Sequence, residues 1–373
     1  MNNIRYDTDN KYDIIFGGES LTDNTRPHIS TGQLAALIVI YRISTLMVYI
    51  PLVGQGCSTA EQLCALAVSS LIQTVMLIPA VICSEKGILP DGFRNKALNI
   101  AADIIYSLYF MLVTAGTLVR SVHFMDSRFG NNVPVAVTAA MFTAVCLYCA
   151  YCGIEGIARG TMFTLVFFVI MCMVMAYGNK DVMTPENIGM SFEKADFMKA
   201  VYGDITRSLE LTLLCCMAGY TSGKYRRAVL GANIGRFFVT AAVTAAVFIV
   251  LGDYVYMCDY PFLKLGSAAG VNFLQRIDAL YMVVWVLAAA AGMSAMIFTA
   301  SEKVRDGINI GKRTAYIMTV LLIFAVAAAL YRGMINERLI AAVSSLPVQA
   351  VTSVVIPLAA LISSRLFGKG ESS

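Results

Sequence analysis

Charge is scarce in this chain: only 14% of its 373 residues are Asp, Glu, Lys or Arg, against 58% that are hydrophobic. Two or three soluble domains of this total length would need more polar surface, so the composition excludes them. Histidine is scarcer still. His28 and His123 are the only two, and neither has a Cys, His or carboxylate partner at metal-ligand spacing, which argues against a metalloenzyme. No nucleophile, base and orienting group stand at recognisable spacing either, so no catalytic residue, metal site or cofactor is assigned and an enzyme is not expected. The opening 28 residues lack a continuous apolar core, which rules out a cleavable signal peptide. The net charge of +4 is no sign of a nucleic-acid partner, because membrane proteins keep Lys and Arg in loops for orientation.

What the chain does hold is apolar runs of roughly 20 residues, the length that covers a ~30 Å hydrocarbon layer. Candidate spans lie near 29–53, 60–83, 97–121, 133–152, 157–177, 201–220, 232–252, 272–300, 314–331 and 347–367. The expected fold class is therefore an all-α integral membrane protein in a lipid bilayer. Residues 29–367 form the transmembrane domain, flanked by cytosolic tails at 1–28 and 368–373. The stretch YDIIF, residues 12–16, is a patch of the first tail able to dock onto the bundle or a partner. With the N-terminus inside, inner segments hold sixteen Lys and Arg and outer loops eight, which places both termini in the cytoplasm of a multi-pass protein of the inner membrane. The ten cysteines fall mostly inside apolar segments, and the spacing of Cys146, Cys149 and Cys152 is read as packing by small hydrophobes.

Ten spans divide into two sets of five, and an odd number per set turns the second half upside down, the arithmetic of an inverted repeat. The first span of each half carries polar groups where a plain helix would not. In span one these are Arg42, Ser44 and Thr45, with Pro51 beyond them; a mid-depth charge costs at least ~2.5–3.5 kcal/mol, so Arg42 faces a wet cavity or a partner group. In span six, Asp204, Arg207 and Glu210 repeat every three residues along one side of a helix. Arg207 can neutralise either acid, which leaves the other for Arg42, a substrate ammonium or a proton. The bland alternative is an internal ion-pair network. If spans one and six are broken, Ser44, Thr45 and Ser208 loosen the backbone there, and half-helix ends point at the midplane. Tyr106 and Tyr109 in span three either line a pocket or pack. Arg276 and Asp278 open span eight as an interfacial charge pair, ahead of the single tryptophan, Trp285.

Four stretches carry a family resemblance. ISTGQLAALIVIYRISTLMVYIP at 29–51 has a Gln-Leu pair leading an apolar run that ends in Pro. GIEGIARGTMF stands at 153–163 and MTPENIG at 183–189, and YPFLKLGSAAGVNFLQRIDALYMVVWV at 260–286 combines a Pro-led loop, an Arg-Ile-Asp step and a Trp. Through them the chain resembles the spore-germination permease family, the membrane B subunit of germinant receptors, within the amino acid–polyamine–organocation transporter superfamily. The resemblance implies a LeuT-type fold with spans one and six unwound around a small nutrient such as an amino acid. It also implies partners in a larger A subunit and a lipoprotein C subunit, and the spore's inner membrane where the host sporulates. On this reading the ligand-binding candidates are Arg42, Ser44, Thr45, Tyr106, Ser208 and Glu210, with Asp204, Arg207, Arg276 and Asp278 as a charge network. The alternative is a free-standing proton-coupled amino acid or amine transporter. Where family first spans carry glycines, this chain reads Ile43, Ser44, Thr45, Leu46.

Overall fold

A computed structural model describes residues 28–48, 57–93, 95–129, 134–189, 191–269, 277–336 and 338–367. Among these, nine helices are long and apolar enough to cross a membrane, and a tenth span is built from two pieces. Span one is α1, Thr31–Val48. Its start is fixed by a reciprocal cap: the Gln33 amide donates to Ser30 Oγ at 3.2 Å, and Gln33 Oε1 accepts from the Ser30 amide at 2.9 Å. The Gln-Leu pair noted in the sequence thus includes the residue that starts the helix. Span two is α2, Thr59–Met76, continued by α3, Ile78–Glu85, with the joint at Leu77 just before Pro79, which has no amide to continue the ladder.

Span three is α4, Lys96–Phe129; span four is α5, Val135–Cys152; span five is α6, Ile154–Gly178. α5 and α6 meet at Gly153, whose φ of +102° admits little else than glycine. Span six is α7, Lys194–Arg207, followed by α8, Glu210–Cys216, and a 3₁₀ turn over Met217–Tyr220. Span seven is α9, Tyr225–Leu251, and a short α10, Pro261–Ala268, leads to span eight, α11, Ile277–Ile308. Span nine is α12, Lys312–Tyr331. A short α13, Arg338–Val343, precedes span ten, in which α14, Leu346–Ala350, a π-helical turn, Val351–Val355, and α15, Ile356–Phe367, run on from one another.

The packing has the symmetry expected of two inverted halves. α1 lies on α9 and α7 lies on α2, so span one meets span seven as span six meets span two; α2 also packs on α9, and α4 runs along α11. Ile29–Ser30 and Thr221–Ser222 pair as two short parallel strands, β1 and β2, which bring the start of α1 beside the start of α9. Glycine allows α1 to sit close to its neighbours. A Cβ on Gly292 of α11 would come within 2.6 Å of the Tyr41 ring, and one on Gly235 of α9 within 2.9 Å of Val39.

Two expectations are corrected. Span one is one continuous helix from Thr31 to Val48, in which the Ser44 and Thr45 hydroxyls turn back onto the Tyr41 carbonyl, at 2.7 and 3.2 Å, and leave the main-chain ladder uninterrupted. Pro51 lies outside the described residues. Span eight runs past residue 300 to Ile308, carrying Glu302, Lys303 and Arg305 inside the helix. Those charges are tolerated because each is paired: Arg305 with Glu302 at 2.6 Å, and Lys303 with Asp91 and with Asp103, the latter at 3.1 Å.

Candidate functional site

At mid-depth four buried charges meet from four helical pieces. α1 supplies Arg42, α7 Asp204, α8 Glu210 and α9 Arg236, each at most 5% exposed. Arg42 Nη2 is ion-paired to Asp204 Oδ1, and Arg42 Nη1 lies 3.8 Å from Glu210 Oε1. Arg236 Nη1 donates to the same Glu210 oxygen at 3.1 Å. Two guanidiniums face two carboxylates, so the cluster is formally neutral. That balance is what permits it in an apolar bundle, where one uncompensated charge costs several kcal/mol.

Polar side chains complete the shell. Ser69 Oγ donates to Asp204 Oδ2 at 2.6 Å, and Gln73 Nε2 to Asp204 Oδ2 at 3.4 Å and Ser208 Oγ at 3.0 Å. Arg42 Nε donates to Thr240 Oγ1 at 3.4 Å. The break in span six is part of this shell. Ser208, at φ −87° and ψ +61°, leaves the helix, and its hydroxyl donates to the Asp204 carbonyl at 2.8 Å while accepting from Arg236 Nη1 at 2.9 Å. Gln349 of span ten donates to the Thr206 carbonyl at 2.9 Å, so two carbonyls that end α7 in the membrane are met by side chains.

Among the described residues, four buried polar atoms in this shell have no hydrogen-bond partner: Arg42 Nη1, Glu210 Oε2, Gln73 Oε1 and Gln349 Oε1. One is a cationic donor and three are acceptors, and all belong to residues already held by other contacts. Buried polar atoms are rarely left in this state, so a group that binds here has both a donor and acceptors waiting for it.

The nominated residues divide accordingly. Arg42, Asp204, Ser208 and Glu210 are brought together. Ser44 and Thr45 stay within α1. Tyr106 is buried elsewhere: its hydroxyl donates to the Thr352 carbonyl at 2.6 Å, in the π turn of span ten, and Thr352 Oγ1 lies 2.9 Å from Thr212 Oγ1. Arg207 is expected to neutralise the neighbouring acids; Asp204 and Glu210 are paired with Arg42 of α1 and Arg236 of α9. Its own guanidinium folds back along α7 to within 3.5 Å of a Cβ position at Gly203. Arg276 and the side chain of Asp278 lie outside the described residues. Arg236, Ser69, Gln73 and Thr240 were not nominated, although an arginine in an apolar span and the i, i+4 polar pair Ser69 and Gln73 were visible signals.

Comparison with known proteins decides the family. The model of the family described as spore germination protein matches residues 28–335. The chain belongs to that family. No curated protein sequence matches it. Among solved structures, MhsT in complex with L-phenylalanine superposes with a TM-score of 0.58 at 13% identity, over 92% of this chain and 90% of that one. A Na⁺-coupled sialic acid symporter, in a substrate-bound outward-open state, gives 0.56 at 12% identity, over 90% of each chain. At such identities the likeness establishes the fold, which is LeuT-type, and makes this spore germination protein a multi-pass membrane protein of transporter-like architecture.

Proposed function

We propose that the protein is the permease-like subunit of a spore germinant receptor, and that it holds a small nutrient of the amino acid kind at mid-depth between α1 and the break in span six. The observation that carries this reading is the set of buried atoms left without a hydrogen bond at the break: Arg42 Nη1, which is 3.8 Å from Glu210 Oε1 and suits a carboxylate, and Glu210 Oε2, which suits an ammonium group. Ser208, at the same break, has a hydroxyl that donates to the Asp204 carbonyl and accepts from Arg236 and Gln73. The family match and the transporter-like fold support a role in solute recognition. In this reading residues 29–367 are the membrane domain, 1–28 and 368–373 are cytosolic tails, and the A and lipoprotein C subunits are partners. Asp204 anchors Arg42, while Ser44, Thr45 and Tyr106, expected at the same site, keep their hydroxyls on backbone carbonyls.

Thermal stabilisation of the purified protein by a panel of amino acids, amines and nucleosides tests the site. A ligand that raises the midpoint in the wild type and fails to do so in Glu210→Gln is the expected result. A shift that survives in Glu210→Gln and in Arg42→Met places the ligand elsewhere. Solute uptake by the protein alone in liposomes, collapsed by a protonophore, is the outcome that replaces the receptor reading with a free-standing proton-coupled transporter.

A further inference from the structure

Outside the central cluster, on the face of the bundle where α1 and α9 begin, lies a cavity of about 650 Å³ lined by Ser84, Glu85, Lys224, Arg226, Arg227 and Leu230, with Gly223 and Tyr225 completing it. Its walls come from the last turn of α3 and the first turn of α9, helices that pack on each other. Three of the lining side chains are cations and one is an anion. Lys224, Arg226 and Arg227 are exposed, and among the described residues none of them has a carboxylate within ion-pair distance. Lys303 and Arg305, by contrast, are both paired with carboxylates.

The cavity opens onto apolar surface. Leu230, itself in the lining, is followed on α9 by Ile234 and Phe238, which are 40%, 55% and 64% exposed. These positions recur every four residues and continue the line that Arg226 begins, so a cationic head and an apolar stripe share one side of a membrane-spanning helix. A soluble anion would use only the head of this arrangement. We propose that the cavity is a binding site for an anionic phospholipid, with the headgroup phosphate held by Lys224, Arg226 and Arg227 and an acyl chain lying along Leu230, Ile234 and Phe238. Basic pockets between membrane helices at the bilayer surface recognise lipid headgroups through this combination of charge and adjacent hydrocarbon. The site directly follows β2, which ties the start of α1 to the end of the broken span, so an occupying lipid braces the strand pair on which both halves of the bundle meet.

The test is native mass spectrometry of the delipidated full chain titrated with phosphatidylglycerol and, separately, with phosphatidylcholine. Wild type should take up the first phosphatidylglycerol at a concentration well below that for phosphatidylcholine. The variant K224Q/R226Q/R227Q should lose that preference by up to roughly a hundredfold, since each cation near an anionic lipid surface contributes roughly fivefold. Inorganic phosphate at matched concentration should not displace the lipid. Equal uptake of both lipids by wild type, or a preference untouched in the variant, overturns the proposal. So does displacement by inorganic phosphate, which would make this a site for a free anion. If the triple variant does not fold, Arg226→Gln and Leu230→Gln tested singly must each weaken phosphatidylglycerol retention; retention unchanged in either overturns it.

Discussion

Span one carries Arg42 through α1 without interruption, whereas span six carries Asp204 and Glu210 on two helical pieces separated at Ser208. The two spans open the two halves of an inverted repeat, and both hold hydroxyl residues beside a mid-depth charge. Their hydroxyls behave differently. Among the described residues, Ser44 and Thr45 bond only back to the Tyr41 carbonyl one turn earlier. The Ser208 hydroxyl donates back to the Asp204 carbonyl as well, and in addition accepts from Gln73 and Arg236 of other helices. In an unbroken helix Asp204 and Glu210 would point about 120° apart. With the break, both carboxylates reach the guanidinium of Arg42. A hydroxyl residue near a membrane charge therefore marks a break only when groups from neighbouring helices are there to take up the released backbone.

The largest effect should come from splitting the charge cluster. Arg236→Leu leaves Glu210 short of its 3.1 Å partner and should destabilise the protein by about 3–5 kcal/mol. Chemical unfolding in detergent would measure it. Combining Arg236→Leu with Glu210→Leu should recover much of that loss, because the cost lies in the orphaned charge, and additive losses in that cycle would show that the pair is not coupled. Ser208→Ala comes next. It removes a hydroxyl with three partners at the break and should cost about 1–3 kcal/mol, with faster hydrogen exchange in the last turn of α7. Thr45→Ala should cost least, at most about 0.5 kcal/mol, and leave exchange in α1 unchanged, since its hydroxyl serves only its own helix. A Thr45→Ala effect as large as that of Ser208→Ala would erase the contrast between the two spans.

Arg42, Asp204, Ser208 and Glu210 could be nominated from the chain because charge in an apolar run is costly enough to need a reason. The importance of Arg236 could not be weighed in the same way. It became a partner of Glu210 only when α9 packed against α1 and α2, and the same packing brought Ser69, Gln73 and Thr240 into the shell. Tyr106 illustrates the reverse error. Its place on an apolar helix beside Tyr109 is compatible with a pocket wall, yet its hydroxyl is engaged by a carbonyl in the π turn of span ten. The end of span eight was missed for a related reason. Glu302, Lys303 and Arg305 signal water when read in isolation, and become acceptable within a helix once Asp91 and Asp103 pair with Lys303 and Glu302 pairs with Arg305.

Composition and the spacing of apolar runs were enough for an all-helical, ten-span protein with an odd number of spans per half, because hydrocarbon admits only segments whose backbone bonds close within themselves. They were enough, too, to show that a few charges lie at mid-depth. Which charges meet, where span six opens, and where the basic residues of one loop gather into a cavity depended on contacts between helices far apart in the chain. A helix face selects its neighbours by shape and by complementary charge, and neither is written in the face alone.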